Sequence, residues 1–335
     1  MLYHWLNNLF ENCGDFLANY GNLLVSVVLT VAVTAVLLKL LKGRLPADAG
    51  RAFAVNGEKS KGKPRGAGII FILVFAVMGA LFAPVNAEML IYLVLIVAAM
   101  FTGYFDDASE TPWNEYKKGI LDFLIAAGVT ANYMYAHLNS NLKHTYMPSF
   151  FGMEIHPVVF AILSMILIWM SINVVNCTDG VDGLCGSVSI VSLAAFLFFI
   201  DYRHEGDEML ILVILFVACL IPYLCMNWSP STILMGDAGS RAIGLFIAIV
   251  ALKSESPFLF IPLCIVFILD GGLGLLKVSL KRFLKISILK NVRTPLHDHA
   301  RKKLGWSDVK TVRRFILIQL FINLCFVLLR CFDVI

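Results

Sequence analysis

Asn173-Val-Val-Asn-Cys-Thr-Asp-Gly-Val-Asp-Gly-Leu184 closes an apolar run that begins near residue 156. A run of about 20 apolar residues is the mark of a membrane-spanning helix. This one ends in two amides, Asn173 and Asn176, and two carboxylates, Asp179 and Asp182. Ionisable groups at such a depth are costly, so their default reading is a functional site. Gly180 and Gly183 permit close backbone approach. Thr178 and Asp179 suit the cap of the helix that follows, yet two caps account for only part of so polar a segment.

The rest of the chain has the same character. It holds 335 residues, 59% of them hydrophobic and 15% charged, with a mean hydropathy of +0.82. A soluble protein carries about 25% charged residues. Apolar runs predict ten spans, near 20–41, 66–83, 89–105, 119–138, 156–174, 183–200, 208–226, 239–253, 257–276 and 314–332. Open strands cannot satisfy their backbone in lipid, so the expected fold is all-α. It is a polytopic integral membrane bundle of about ten transmembrane helices, one domain over 1–335. Residues 1–19 lack the pattern of a cleavable signal peptide. Leu2, Trp5, Leu6, Leu9, Phe10, Phe16 and Leu17 recur at helical spacing, as in a helix lying in the membrane interface. Cys177, Cys185, Cys219, Cys225, Cys264 and Cys325 lie in or beside apolar segments without paired spacing and read as small buried hydrophobes.

Basic residues orient the bundle. On this topology 23 of the 27 Lys and Arg fall on one side, leaving Lys143, Arg203, Lys253 and Arg330 on the other. The positive-inside rule makes the basic side cytoplasmic and puts both termini outside. The cytoplasmic loops are then 42–65, 106–118, 175–182, 227–240 and 277–313. Asp106, Asp107, Asp179, Asp182 and Asp237 all reach that same face, at the ends of different spans. Topogenesis explains the cations but not five carboxylates beside them. Mg²⁺ is commonly held by one or two carboxylates plus substrate phosphates, so the pattern points to a divalent metal and an anionic substrate.

Adjacent Asp106 and Asp107 point about 100° apart on a helix; one suits a metal while the other suits a proton. Met235-Gly-Asp237-Ala-Gly-Ser240 reads as a turn opening a helix, whose free N–H groups suit phosphate. Asn227 is a further candidate ligand. His297-Asp298-His299, followed by Arg301-Lys302-Lys303, lacks the third ligand of a zinc site and fits phosphate contact better. Asp122, Asn132 and Asp270 lie inside spans and read as structural; Lys118, four residues before Asp122, is its expected partner.

Taken together, Asp106-Asp107, the 173–184 segment, Asn227 with Met235–Ser240, and Pro295-Leu-His-Asp-His299 resemble the polyprenyl-phosphate hexose-1-phosphate transferases. Thr178 and the run from Pro295 to Lys303-Leu-Gly-Trp306 look most like the branch that transfers phospho-N-acetylmuramoyl-pentapeptide. The resemblance covers roughly residues 40–330. The chain departs from the family where a triple histidine reads His297-Asp298-His299, and where Glu110 replaces a Lys. Gly62-Lys-Pro-Arg-Gly-Ala-Gly68 also replaces Gly-Thr-Pro-Thr-Met-Gly-Gly, and Leu234 stands where an aromatic residue is common.

The resemblance implies a Mg²⁺-dependent enzyme of the bacterial plasma membrane. It would join UDP-N-acetylmuramoyl-pentapeptide to undecaprenyl phosphate, giving lipid I and UMP. It implies Asp106, Asp107, Asp237 and His299 as catalytic residues, with Asp237 on the metal. Asn176, Asp179, Asp182, Asn227, Lys61, Lys118 and His297 would bind substrate. The expected partners are these two substrates and the lipid bilayer, with no nucleic acid; a homodimer is compatible. Two other readings stand beside it. A sister enzyme would use UDP-N-acetylglucosamine with the same metal and uridine site. A cation-coupled transporter would place its carboxylates near the midplane, with internal repeats, and neither feature is seen.

Overall fold

The computed structural model describes residues 2–3, 5–6, 15–50, 57–109, 111, 113–138, 149–150, 153–200, 208–254 and 256–332. Leu2, Tyr3, Trp5 and Leu6 are helical, while Leu9, Phe10 and Glu110 lie outside the described residues. Helices occupy every predicted span. They are α1 (Asp15–Leu41), α2 (Gly68–Phe82), α3 (Ala87–Asp107), α4 (Glu115–Leu138), α5 (Pro157–Thr178), α6 (Leu184–Phe196), α7 (Glu208–Asn227) and α8 (Gly236–Leu252). Then come α9 (Pro257–Leu263) and α10 (Ile265–Phe283), two arms of one element bent by 70°. A short α11 (Leu296–Lys302) precedes α12 (Asp308–Cys331). Among the described residues the strands form one small antiparallel pair, Ser149–Phe150 against Met153–Glu154. The protein is an integral membrane helical bundle.

Among the described residues six helices are long and apolar enough to cross a membrane, or seven if the bent pair is one span. The shorter α2 and α6 have 15 and 13 residues, about 22 and 20 Å at the helical rise. Helix α8 is the hub: from Ala238 to Leu252 every residue is buried. It runs antiparallel to α3. At one end the Ala238 N–H donates to Asp107 (3.2 Å). At the other Lys253 meets Glu88 (3.2 Å), which also accepts from Tyr92 Oη (2.8 Å). Glycines bring these backbones together, as small residues do in membrane bundles. A Cβ on Gly68 would strike the Gly239 backbone, one on Gly103 the Asp237 carbonyl, and one on Gly244 the Ile172 Cα. Phe75, Phe216 and Phe246 fill the centre, with ring centroids 4.3–5.1 Å apart.

The break between α9 and α10 frees backbone groups that lipid cannot satisfy. Gln319 on α12 satisfies them: its Oε1 accepts from Val266 N (2.9 Å) and its Nε2 donates to Pro262 O (3.2 Å). Asn323 adds a bond to Val191 O (3.1 Å). Gln319→Leu is expected to destabilise the protein by about 1–3 kcal/mol, seen as a lower melting temperature in detergent.

Two details differ from the sequence reading, the cap of α6 and the placing of two cysteines. Thr178 does not cap α6; its Oγ1 donates to Val174 O (2.9 Å) within α5, and Asp179 ends that helix. Gly183 precedes α6 at φ +82°, a left-handed position that suits glycine. Cys185, Cys219 and Cys264 are buried as expected, but Cys225 and Cys325 face outward. In a lipid-facing bundle an apolar thiol has no need of an interior.

Candidate active site

The site forms where α3 ends and α4 and α8 begin, beside residues 46–50 and 57–65. Asp237 lies in the first turn of α8, ahead of its apolar stretch, and two cations meet it. Lys118 Nζ approaches Asp237 Oδ2 at 3.3 Å and also pairs with Asp106 Oδ2. Arg65 Nη2 approaches Asp237 Oδ1 at 3.1 Å, while its Nε lies 2.8 Å from Asp107 Oδ1. The result is a box in which Asp237 is tied to Asp106 through Lys118 and to Asp107 through Arg65. Adjacent Asp106 and Asp107 do turn to different partners. Asp106 Oδ1 accepts from Trp113 N (2.7 Å), and Asp107 Oδ2 from Ala238 N (3.2 Å). The N–H at the start of α8 is thus already used by an anion, in keeping with the helix N-terminal preference.

Electrostatics favour an ionised Asp237. Burial alone raises a carboxyl pKa, but Lys118, Arg65 and Arg241 together hold Asp237 well below the usual carboxylate range. Arg65, in the loop, loses basicity through burial but regains more from Asp107, Asp237 and Asp48, so it stays charged. Two oxygens, Asp107 Oδ1 and Asp237 Oδ1, converge on a single guanidinium. Hard oxygen donors in that number, completed by phosphate oxygens, suit Mg²⁺. Among the described residues no three His, Cys, Asp or Glu side chains cage a metal by themselves. A metal held by Asp107 and Asp237 would need further ligands from substrate or water.

Further polar side chains hold the neighbouring elements together. Asn176 Nδ2 donates to Ser240 Oγ (2.9 Å), tying α5 to α8. Asp182 Oδ2 accepts from Ser231 N (2.9 Å) and lies 3.6 Å from Lys63 Nζ. Asn227 is 3% exposed; its Oδ1 accepts from Gly183 N (2.9 Å) and its Nδ2 donates to Ile233 O (2.8 Å). Asp179 is half-buried at the end of α5, and Lys61 is exposed in its loop.

The histidines sit close by. His297 is buried, with its backbone N and Nδ1 each 2.7 Å from Asp270. That partner keeps the proton on Nδ1, and Nε2 faces Gly180, where a Cβ would strike it. Asp270 lies in a π-helical turn, Ile268–Gly272, within α10, and its buried partner is His297, in keeping with a structural role. Arg301 joins the group through Asp298 (2.6 Å) and Gly180 O (3.3 Å). His299 Nδ1 accepts from Arg293 N (3.2 Å). Its Nε2 then carries the proton of the neutral ring.

Asp122 pairs with Arg241 and accepts from Asn173 Nδ2 (3.3 Å). The expected Lys118 partner is drawn to Asp106 and Asp237 instead, since two carboxylates outbid one. In the sequence Arg65 reads only as a topogenic charge, and neither Asp48 nor Arg241 stands out as a site residue. An acid inside span 4 facing a base inside span 8 was the available signal for Arg241.

A buried helical bundle that gathers three aspartates and two cations at one end of its helices defines a membrane enzyme acting on anionic groups. Residues 89–255 match the glycosyl transferase family 4. The chain is 38% identical to the phospho-N-acetylmuramoyl-pentapeptide-transferase of Treponema pallidum (strain Nichols) over 292 residues. That match covers 82% of this chain and 80% of the relative. The proteins of the same name from Clostridium perfringens (strain SM101 / Type A) and Helicobacter pylori (strain Shi470) are 29% and 26% identical. They match over 80% and 97% of this chain and over 82% and 96% of their own lengths. The chain belongs to the phospho-N-acetylmuramoyl-pentapeptide-transferase family and is a phosphotransferase.

One substitution tests the packing that builds the box. Gly103→Ala is expected to push Asp237 away from Asp107 and to lower turnover about 100-fold, since displacements near 1 Å are costly in catalysis. Helical content by circular dichroism should remain at the wild-type level.

Proposed function

We propose that the protein transfers phospho-N-acetylmuramoyl-pentapeptide from UDP to undecaprenyl phosphate, releasing UMP and leaving lipid I. It would act at the cytoplasmic face of a bacterial plasma membrane. The observation that carries this is the box of Asp106, Asp107 and Asp237 closed by Lys118 and Arg65. Two anions, one in the lipid and one in water, must meet for this reaction. A membrane-end site with fixed cations lowers the cost of bringing them together.

Asp106 is assigned as the base that removes the proton from the lipid phosphate; its side chain keeps 6% exposure against 0% for Asp107. The freed phosphate oxygen attacks the phosphorus bearing the sugar, and UMP departs. Asp107, with Asp237, would hold Mg²⁺, which when bound neutralises charge on the diphosphate. Lys118 would steady the same charge. Asn176, Asp179 and Asp182 would hold uridine, with Asn227 fixing the Gly183 turn beneath them. His299 would donate Nε2–H to phosphate, His297 would brace the Asp179–Gly180 turn, and Lys61 would attract the nucleotide.

Purified protein with undecaprenyl phosphate and Mg²⁺ is expected to release UMP from UDP-N-acetylmuramoyl-pentapeptide and not from UDP-N-acetylglucosamine. Release from the glucosamine donor alone would transfer the same chemistry to another glycan. EDTA should abolish release. Incubation with nucleotide alone should leave no phosphorylated aspartate; trapping one would replace direct attack with a covalent route.

A further inference from the structure

Arg65 holds an unusual position. Its Nε faces Asp107 Oδ1 (2.8 Å), its Nη2 faces Asp237 Oδ1 (3.1 Å), and its Nη1 faces Asp48 Oδ1 (3.1 Å). Three carboxylates thus share one guanidinium. The first two are the pair assigned above to the metal, so a cation of this chain already sits at the metal's place. A divalent ion and the guanidinium cannot occupy one pair of oxygens together. The third carboxylate lies apart from that pair. Asp48 is 4% exposed and belongs to the same folded loop as Arg65. Asp48 N donates to Lys63 O (2.8 Å), Gly62 N to Asp48 O (2.9 Å) and Arg65 N to Pro46 O (2.8 Å). Gly62 at φ +81° and Gly66 at φ +88° bracket the arginine.

The geometry points to Arg65 as a built-in counter-cation that competes with the divalent metal and, once displaced, is delivered to the substrate diphosphate. This rests on the metal and donor reading given above. Without metal, Arg65 screens Asp107 from Asp237 and keeps the box closed. When the metal takes those two oxygens, Asp48 retains one arm of the guanidinium beside the site. The arm that faced Asp107 and Asp237 is then released, and its forked donors match phosphate oxygens bidentately. The competition lowers apparent metal affinity by the fraction of molecules in which the seat is free. It also favours loading of metal together with nucleotide, because the displaced cation then finds an anion.

Mn²⁺ binding to purified protein without substrate, followed by electron paramagnetic resonance, reads the competition independently of turnover. Arg65→Gln is expected to bind Mn²⁺ about tenfold more tightly than wild type. Arg65→Lys, which keeps the charge but not the fork, should fall between them and serves alone if the glutamine variant does not fold. With Mn²⁺ saturating, Arg65→Gln should bind UDP about tenfold more weakly, having lost a charge-assisted contact. Mn²⁺ affinity no tighter than wild type in either variant, or UDP affinity unchanged, would overturn the inference. Failure of the proposed transfer reaction itself would appear as absent UMP release in the wild type and would leave the Mn²⁺ result distinct.

Discussion

Asp237→Asn is expected to lower UMP release about 1,000-fold while the protein folds and purifies like the wild type. The substitution keeps the shape of the side chain and removes its charge. Among the described residues Asp237 is the one carboxylate that pairs with both cations of the box, at 3.1 Å from Arg65 and 3.3 Å from Lys118. Those cations hold it ionised at neutral pH, so the loss cannot be masked by protonation of the wild type. Fixed charges aimed at a reacting group are worth about 3–4 kcal/mol each, and a metal ligand contributes in the same range. Turnover near the wild-type value across a Mg²⁺ titration would show that Asp237 neither holds the metal nor orders the cations.

The second large effect is on folding. Asp122 and Arg241 form an ion pair within the bundle, 1% and 4% exposed at their side chains. Asp122→Leu leaves Arg241 charged and buried, which costs about 3–5 kcal/mol. Thermal unfolding in detergent should shift down sharply. The double variant Asp122→Leu/Arg241→Leu should recover most of that loss, because an apolar pair of similar volume has no desolvation to offset. Thermal unfolding of the single variant indistinguishable from wild type would mean that Arg241 finds another partner. The double variant should still turn over more slowly, since Arg241 also helps to keep Asp237 ionised.

The carboxylates were legible because charge in an apolar chain stands out. Asp106, Asp107 and Asp237 share the box, Asn176 is tied to α8 at Ser240, and Asp182 meets Lys63, two residues before Arg65. The helical bundle was legible for the same reason: lipid leaves few alternatives for an apolar run. Partners were not legible. Lys118 is four residues from Asp122, a spacing that favours pairing, yet it crosses to Asp106 and Asp237 because the fold places two carboxylates there. Asp122 instead finds a base 119 residues away. Local spacing describes one helix, whereas a buried ion pair is decided between helices. Arg65 shows the same limit in a loop. Its charge reads as topology, and only the approach of the 62–68 turn to α8, through Gly68 and Gly239, makes it a member of the site. Gln319 and Asn323 carry no signal of their role in the sequence, because the break that Gln319 satisfies lies in a different helix.

The most direct test is the identity of the lipid product. Purified protein would be given UDP-N-acetylmuramoyl-pentapeptide, undecaprenyl phosphate and Mg²⁺, and the organic extract would be analysed by mass spectrometry. The expected product is undecaprenyl diphosphate carrying N-acetylmuramoyl-pentapeptide, in amounts matching the UMP released and absent from Asp237→Asn. Unchanged undecaprenyl phosphate from folded wild-type protein, with no UMP in the aqueous phase, would contradict the proposed transfer.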